Sequence, residues 1–271
     1  MSWREIAERA PAAVSAGAGE VLAGETADAP EIWRRAGAPF LAVRRADGDG
    51  ARAGVVYLQG LASDMEGMKA VFCEYVARSA GRCCLRQDYR GLGAAEGDYL
   101  DGTIGDWFGD ARDCFDAFTA GPQVVVGSSM GGWFAVLMAL QRPSRVRGLV
   151  LLAPALDFTE LLIKPNLTSE QRADLERDGF YERAPGMSVG RALLESGSGW
   201  CILGGDMIEL GCPVRIIHGA LDEAVPWDHA VRTADSIRSP DLRLERIHDG
   251  GHRLSRPQDL LRLSENLREL L

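Results

Sequence analysis

The chain has 271 residues and a net charge of −9, with 46% hydrophobic and 25% charged residues, an ordinary composition for a globular domain large enough to bury a substantial core. The acidic balance, with no basic cluster to offset it, argues against nucleic acid as a partner. The longest apolar runs, such as Trp133 to Leu140, fall far short of the ~20 residues that a membrane helix needs, so no membrane span is expected.

Residues 1–37 are rich in Ala, Gly and Glu with weak periodicity, and read as an N-terminal extension that packs loosely or forms short helices. Glu5, Glu8, Glu20, Glu25 and Asp28 count against a signal or transit peptide, which makes the cytoplasm the expected compartment. From about residue 38, strand-like and helix-like runs alternate, the pattern of an α/β fold whose mostly parallel sheet is covered by helices on both faces. Gly54-Val55-Val56-Tyr57-Leu58 is the first clear strand, followed by the loop Gln59-Gly60-Leu61-Ala62-Ser63. Cys83-Cys84-Leu85-Arg86 is another, and Asp88-Tyr89-Arg90-Gly91-Leu92-Gly93 follows it.

The next strand, Gln123-Val124-Val125-Val126, runs into Gly127-Ser128-Ser129-Met130-Gly131 and then a helix-like run from Gly132 to Arg142. Strand, Gly-x-Ser-x-Gly and helix in that order read as a nucleophile elbow, a strained turn that lifts a serine hydroxyl clear of the sheet. Only Ser129 has glycine two residues to either side, because the frame of Ser128 would put Val126 and Met130 there. A serine hydroxyl is a poor nucleophile near neutral pH, so the motif carries chemistry only with a base and an orienting acid.

Past the strand around Leu149–Leu152, the alternation breaks between Asp157 and Gly211. This segment, 157–210, reads as a cap inserted into a core made of 38–156 and 211–271, with helical candidates at Ser169–Asp178 and near Val189–Glu195. It carries many apolar side chains, Phe158, Leu162, Phe180, Met187 and Trp200 among them, which would either cover Ser129 with an acyl pocket or pack the cap on the sheet. The strand Val214-Arg215-Ile216-Ile217 then leads through His218 to Asp222, at the carboxyl edge where an open parallel sheet places functional groups. After helical spacing at Asp228 to Val231 and the strand Leu242 to Ile247, His252 falls in a loop behind Asp249-Gly250-Gly251.

All four histidines follow Ser129, so chain order alone does not choose a base. The strand–loop spacing brings Asp222 and His252 to neighbouring strand ends, which selects His252 as base and Asp222 as acid. Asp157 is the rival acid, also just past a strand end; His218, His229 and His248 read as hydrogen-bonded structural residues. The two backbone N–H groups of an oxyanion hole are expected from Met130, directly after the nucleophile, and from Leu61 in the loop after the earlier strand.

These pieces in this order resemble the α/β-hydrolase superfamily over roughly residues 38 to 271, and the Asp88 to Gly93 motif adds to the likeness. Gly121 to Trp133, Cys212 to Gly219 with Val225-Pro226-Trp227, and Asp249 to Leu254 look like the branch that holds the mitochondrial acyl-protein thioesterase and acyl-glucuronide esterase. The resemblance implies the same triad, Ser129, Asp222 and His252. Many relatives have His-Gly where this chain has Gln59-Gly60, a departure in the outer shell of the oxyanion hole.

No cofactor or metal is expected. Gly91-Leu92-Gly93-Ala94-Ala95-Glu96 lacks the third glycine of a dinucleotide fingerprint, no Walker loop occurs, and the histidines lack zinc-site spacing. The six cysteines form no CxxC pair and read as reduced core residues. The expected function is a serine hydrolase acting on carboxylic esters or thioesters of a small-molecule or acyl-conjugate substrate through an acyl-enzyme. The alternatives are a peptidase, an amidase or a carbon–carbon bond hydrolase on the same fold, or a non-catalytic ligand-binding protein.

Overall fold

In the computed structural model, which describes residues 19–22 and 29–271, a nine-stranded sheet organises the chain. The strands in chain order are β1 (Gly19–Leu22), β2 (Glu31–Arg35), β3 (Leu41–Ala46), β4 (Gly54–Leu58), β5 (Cys84–Asp88), β6 (Gln123–Ser128) and β7 (Val146–Leu152). Segment 157–210 contributes the hairpin β8 (Phe180–Ala184) and β9 (Met187–Gly190) and the short β10 (Ile208–Glu209). There follow β11 (Val214–Gly219), the short β12 (Ile237–Arg238) and β13 (Leu242–Ile247). Among the described residues seven α-helices connect them: α1 (Met68–Ser79), α2 (Ile104–Phe118), α3 (Met130–Gln141), α4 (Ser169–Asp178), α5 (Arg191–Gly197), α6 (Trp227–Asp235) and α7 (Pro257–Leu270).

The main sheet runs β1-β2-β3-β5-β4-β6-β7-β11-β13, parallel from β5 to β13 and antiparallel at the β1-β2-β3 edge. Parallel strands buried on both faces need continuous apolar runs rather than alternation. The valines of β6 meet that need: Val125 joins the core under α2 and α3, while Val124 and Val126 join the core under α1 and α7. Helix α2 shows the matching helical pattern, burying Ile104, Trp107, Phe108, Ala111, Cys114 and Phe115 along one stripe, and the Thr103 side chain caps it by accepting from the Asp106 N–H.

From β4 the chain steps to β5 on one side, and β6 then lies on the other side of β4. That reversal opens a crevice at the carboxyl ends of β4 and β6, the place where open α/β sheets bind their ligands. The loop Gln59–Ser63 and the turn at Ser129 are the two lips of this crevice.

Two expectations change at the N-terminal edge and beyond β7. Residues 31–35, expected in a loose or helical extension ending at 37, form β2, pair antiparallel with β3 and bury Trp33 edge-on against Phe118 at 4.9 Å. Glu31, Arg34 and Arg35 leave this short strand too few apolar positions for its period to be read. Residues 1–18 and 23–28 of the expected extension lie outside the described residues. In segment 157–210, α4 falls on Ser169–Asp178 as its spacing predicts, with a Thr168/Gln171 capping box and a left-handed Gly179 closing it. The second helix, α5, starts at Arg191 rather than near Val189, because 187–190 is taken up by β9.

Candidate active site

The turn between β6 and α3 is held in a conformation that its glycines make possible. Ser129 sits at φ +54° and ψ −119°, a region that costs a non-glycine residue of order 1–3 kcal/mol. Backbone bonds on both sides sustain it: the Ser129 N–H donates to the Leu152 carbonyl at 2.9 Å, and the Ser129 carbonyl accepts from Gly132 at 2.9 Å and Ala155 at 3.1 Å. A Cβ at Gly127 would come within 2.2 Å of the Gly131 carbonyl oxygen, and one at Gly131 within 2.1 Å of the Leu58 carbonyl oxygen. No side chain fits at either position without moving β4 or α3.

His252 lies between Ser129 and Asp222. Its Nε2 is 3.0 Å from Ser129 Oγ and its Nδ1 is 2.8 Å from Asp222 Oδ2. With the proton on Nδ1 donating to the carboxylate, Nε2 is left to accept from the serine hydroxyl. The other Asp222 oxygen, Oδ1, accepts from the Ala224 N–H at 2.9 Å and the Val225 N–H at 2.8 Å. Burial alone would push the Asp222 carboxyl up; the hydrogen bond and charge of His252, with the Val225 N–H, outweigh it and hold the group below the ordinary carboxylate value.

The loop after β4 closes the other side. Gly60 packs directly on the serine, a Cβ there falling 3.1 Å from Ser129 Cβ, and Leu61 and Met130 line the same cavity of about 660 Å³ as Ser129 and His252. Met130 is the first residue of α3, so its N–H has no partner within the helix. The Gln59 side chain is fully buried.

The rival residues occupy other places. Asp157 accepts from the Ile202 N–H at 3.0 Å and the Leu203 N–H at 2.7 Å, tying the far part of segment 157–210 back to its start, and its burial pushes the carboxyl up to about 6. His218 is fully buried, bonds through Nε2 to the Val225 carbonyl at 2.8 Å and stands 3.4 Å from Asp222 Oδ2. Burial lowers its pKa. His229 is a buried residue of α6, where desolvation brings it down to about 4. His248 was expected to be a bonded structural residue and is instead exposed, because the strand it follows, β13, is the sheet's edge.

Of the apolar residues in segment 157–210, Phe158, Leu162 and Met187 line the cavity, whereas Ile163, Tyr181, Leu193, Leu194 and Ile202 pack in the core. The cavity is not purely apolar, since Lys69, Arg183 and Arg253 also face it. His218 is hydrogen-bonded as its sequence context suggests, but its place beside Asp222, and the hold of Lys69 and Arg256 on the His252 loop, have no counterpart among the sequence expectations. Only Lys69 left a trace, as one of two lysines among 30 basic residues. Among the described residues no group of His, Cys, Asp and Glu could hold a metal ion, all six cysteines are free thiols, and no helix is long and apolar enough to cross a membrane.

Comparison with known proteins agrees with this architecture. A family model described as "Serine aminopeptidase, S33" matches residues 49–168, and one described as "Putative esterase" matches residues 112–241. The mouse "Palmitoyl-protein thioesterase ABHD10, mitochondrial" is 32% identical over 82% of this chain and 75% of its own length; the human protein of that name is 30% identical over 80% and 72%. Among solved structures, a putative hydrolase from Agrobacterium vitis S4 superposes with a TM-score of 0.80 at 36% identity, covering 93% of this chain and 97% of its own. Mouse α/β hydrolase domain-containing protein 10 gives the same TM-score, 0.80, at 31% identity over 88% and 96%. These relatives cover 80% to 93% of this chain, and on that likeness this chain is an enzyme, a hydrolase of the α/β-hydrolase superfamily that belongs beside the ABHD10 branch.

Proposed function

We propose that this hydrolase cleaves carboxylic thioesters or esters through an acyl-enzyme on Ser129, with His252 as general base and acid and Asp222 as its orienting partner. The observation that carries the reading is the single imidazole bonded at 3.0 Å to the serine and at 2.8 Å to the buried carboxylate. As Ser129 Oγ attacks the acyl carbon, its proton passes to His252 Nε2, and Asp222 stabilises the imidazolium that forms. The Leu61 and Met130 N–H groups receive the oxyanion. The imidazolium returns the proton to the leaving thiol or alcohol, and water, deprotonated by the same nitrogen, then releases the acid.

Residues 157–210 act as the cap and supply an apolar wall of Phe158, Leu162 and Met187 for the acyl chain. Each buried methylene adds roughly 0.8 kcal/mol of apolar transfer, so medium and long acyl groups outrank acetyl on one leaving group. The relatives named as palmitoyl-protein thioesterases support a long acyl chain and an acyl-conjugate substrate. Those names also carry a mitochondrial location, so the cytoplasmic placement read from the acidic N-terminus is a proposal, to be tested by imaging the tagged full chain in its own cells.

The test is labelling with a fluorophosphonate, location of the adduct, and a kcat/KM profile over acyl thioesters, esters and peptides from two to sixteen carbons. An adduct on Ser129 that is absent from Ser129→Ala, with thioester or ester turnover rising with chain length, is the expected result. A folded protein that takes no label would instead be a binding protein, and peptides as best substrates would favour a peptidase.

A further inference from the structure

The loop that carries His252 is strained and only partly buried, and its attachment differs from that of the serine. Leu254, two residues on, is buried at φ +45°, a left-handed conformation that a leucine holds only when its surroundings compel it. Arg256 ties the two ends of the loop, bonding the Asp249 carboxylate at 2.8 Å and the Asp259 carboxylate at 2.9 Å. Between these anchors, the carbonyl of Arg253, adjacent to His252, accepts a hydrogen bond from Lys69 Nζ. Lys69 stands in the first turn of α1 and lines the same cavity as Ser129 and His252.

We propose that Lys69 is a positioning residue for the reaction: its ammonium, bonded to the Arg253 carbonyl, pins the His252 loop at the distance from which the imidazole reaches Ser129. The inference rests on His252 being the base. Only two of the chain's 30 basic residues are lysines, and the other, Lys164, pairs with Glu160 on its own turn. A compact ammonium on a long stem suits a single carbonyl, whereas a guanidinium is planar, larger and always charged.

The surroundings make the pin sensitive to base. Burial lowers the Lys69 amine to about 8, and of the groups facing it Arg253 lowers it further while Cys73, Asp259 and Asp222 raise it. A hydrogen bond from a charged donor is roughly twice as strong as one from a neutral donor. The pin is therefore at full strength well below pH 8 and weakens as the amine loses its proton through that pH.

The experiment measures kcat, KM and the rate of fluorophosphonate labelling from pH 6 to 10 for the full chain, Lys69→Met and Lys69→Arg, with circular dichroism and thermal melts as folding controls. We expect an alkaline limb near pH 8 in the wild type. Lys69→Met should lose about tenfold in kcat and labelling rate at pH 7 with KM little changed, and should lose the limb. Lys69→Arg should recover part of the rate and show no limb, since a guanidinium does not titrate in this range. A limb that persists in Lys69→Arg overturns the proposal even if Lys69→Met does not fold, as does Lys69→Met labelling at the wild-type rate. A wild type that takes no label on Ser129 defeats the acyl-enzyme reading together with this one; labelling that is normal in wild type and in Lys69→Met defeats this one alone.

Discussion

The two sides of the cavity are held by different forces. Ser129 is positioned by backbone: a buried strand, a bonded turn and a helix start so close together that a Cβ at Gly131 would meet the Leu58 carbonyl at 2.1 Å. The His252 loop is held by backbone only at its start, where the Gly250 carbonyl accepts from the Leu221 N–H at 2.8 Å; past the histidine it is held by side chains, an arginine bridging two carboxylates at its base and a lysine at its tip. Steric packing is indifferent to pH and unforgiving of added volume. Ionic tethers tolerate changes of volume and respond to charge, so substitutions and pH should damage the two sides in different ways.

The largest effects should come from removing the groups that meet at the imidazole. Ser129→Ala should lower kcat by about 10⁶-fold and Asp222→Asn by about 10⁴-fold, both with unchanged circular dichroism and thermal midpoint. A crippled Asp157→Asn beside a nearly normal Asp222→Asn would reverse the assignment of the acid. On the backbone side, Gly131→Ala should cost about 3 kcal/mol in urea unfolding together with most of the activity, because the new methyl meets main chain that cannot rotate away. An active, fully stable Gly131→Ala would mean that the elbow is softer than its contacts imply.

A smaller effect separates packing from charge beneath the site. Buried His229 takes a proton only near pH 4, whereas an unfolded histidine takes one near 6.5. The unfolded chain thus binds more protons across that window, and His229 removes up to about 3 kcal/mol of stability as pH falls from 6.5 to 4. Asp88 and Asp157, both raised to about 6 by burial, act with the opposite sign between about 4 and 6, gaining stability as they take up protons. The His229 contribution is therefore read as the difference between wild type and His229→Gln in urea melts at pH 7 and pH 4.5. Identical pH dependence in the two proteins would show that His229 titrates normally in the fold.

Smallest is the expected effect at the base of the histidine loop. Arg256→Met should lower kcat roughly fivefold with KM little changed, since Lys69 and the packing of Leu254 still restrain His252. Labelling kinetics check it. A loss as deep as that of Asp222→Asn would make Arg256, rather than Lys69, the main restraint on the loop.

Much of this protein is decided within short stretches of chain and is legible there. A Gly-x-Ser-x-Gly turn between a valine strand and a helix demands glycine at 127 and 131 for steric reasons that act over a few residues, so Ser129 stands out without a fold. The alternation of strands and helices, and the order serine, aspartate, histidine at successive strand ends, follow from periodicity in the same way. Partners that are remote in sequence leave no such local mark. Lys69 and Arg253 are 184 positions apart, and only the packing of α1 beside the last loop brings them into contact. The antiparallel edge at β2 escaped for a related reason: five residues, three of them charged, carry almost no pattern, and burial of Trp33 against Phe118 decides their conformation. His218 reads from sequence as any strand-end histidine would. Its place 3.4 Å from Asp222 comes from the turn at Asp222–Val225, which folds the carboxylate back over the end of β11 while two backbone N–H groups hold its other oxygen.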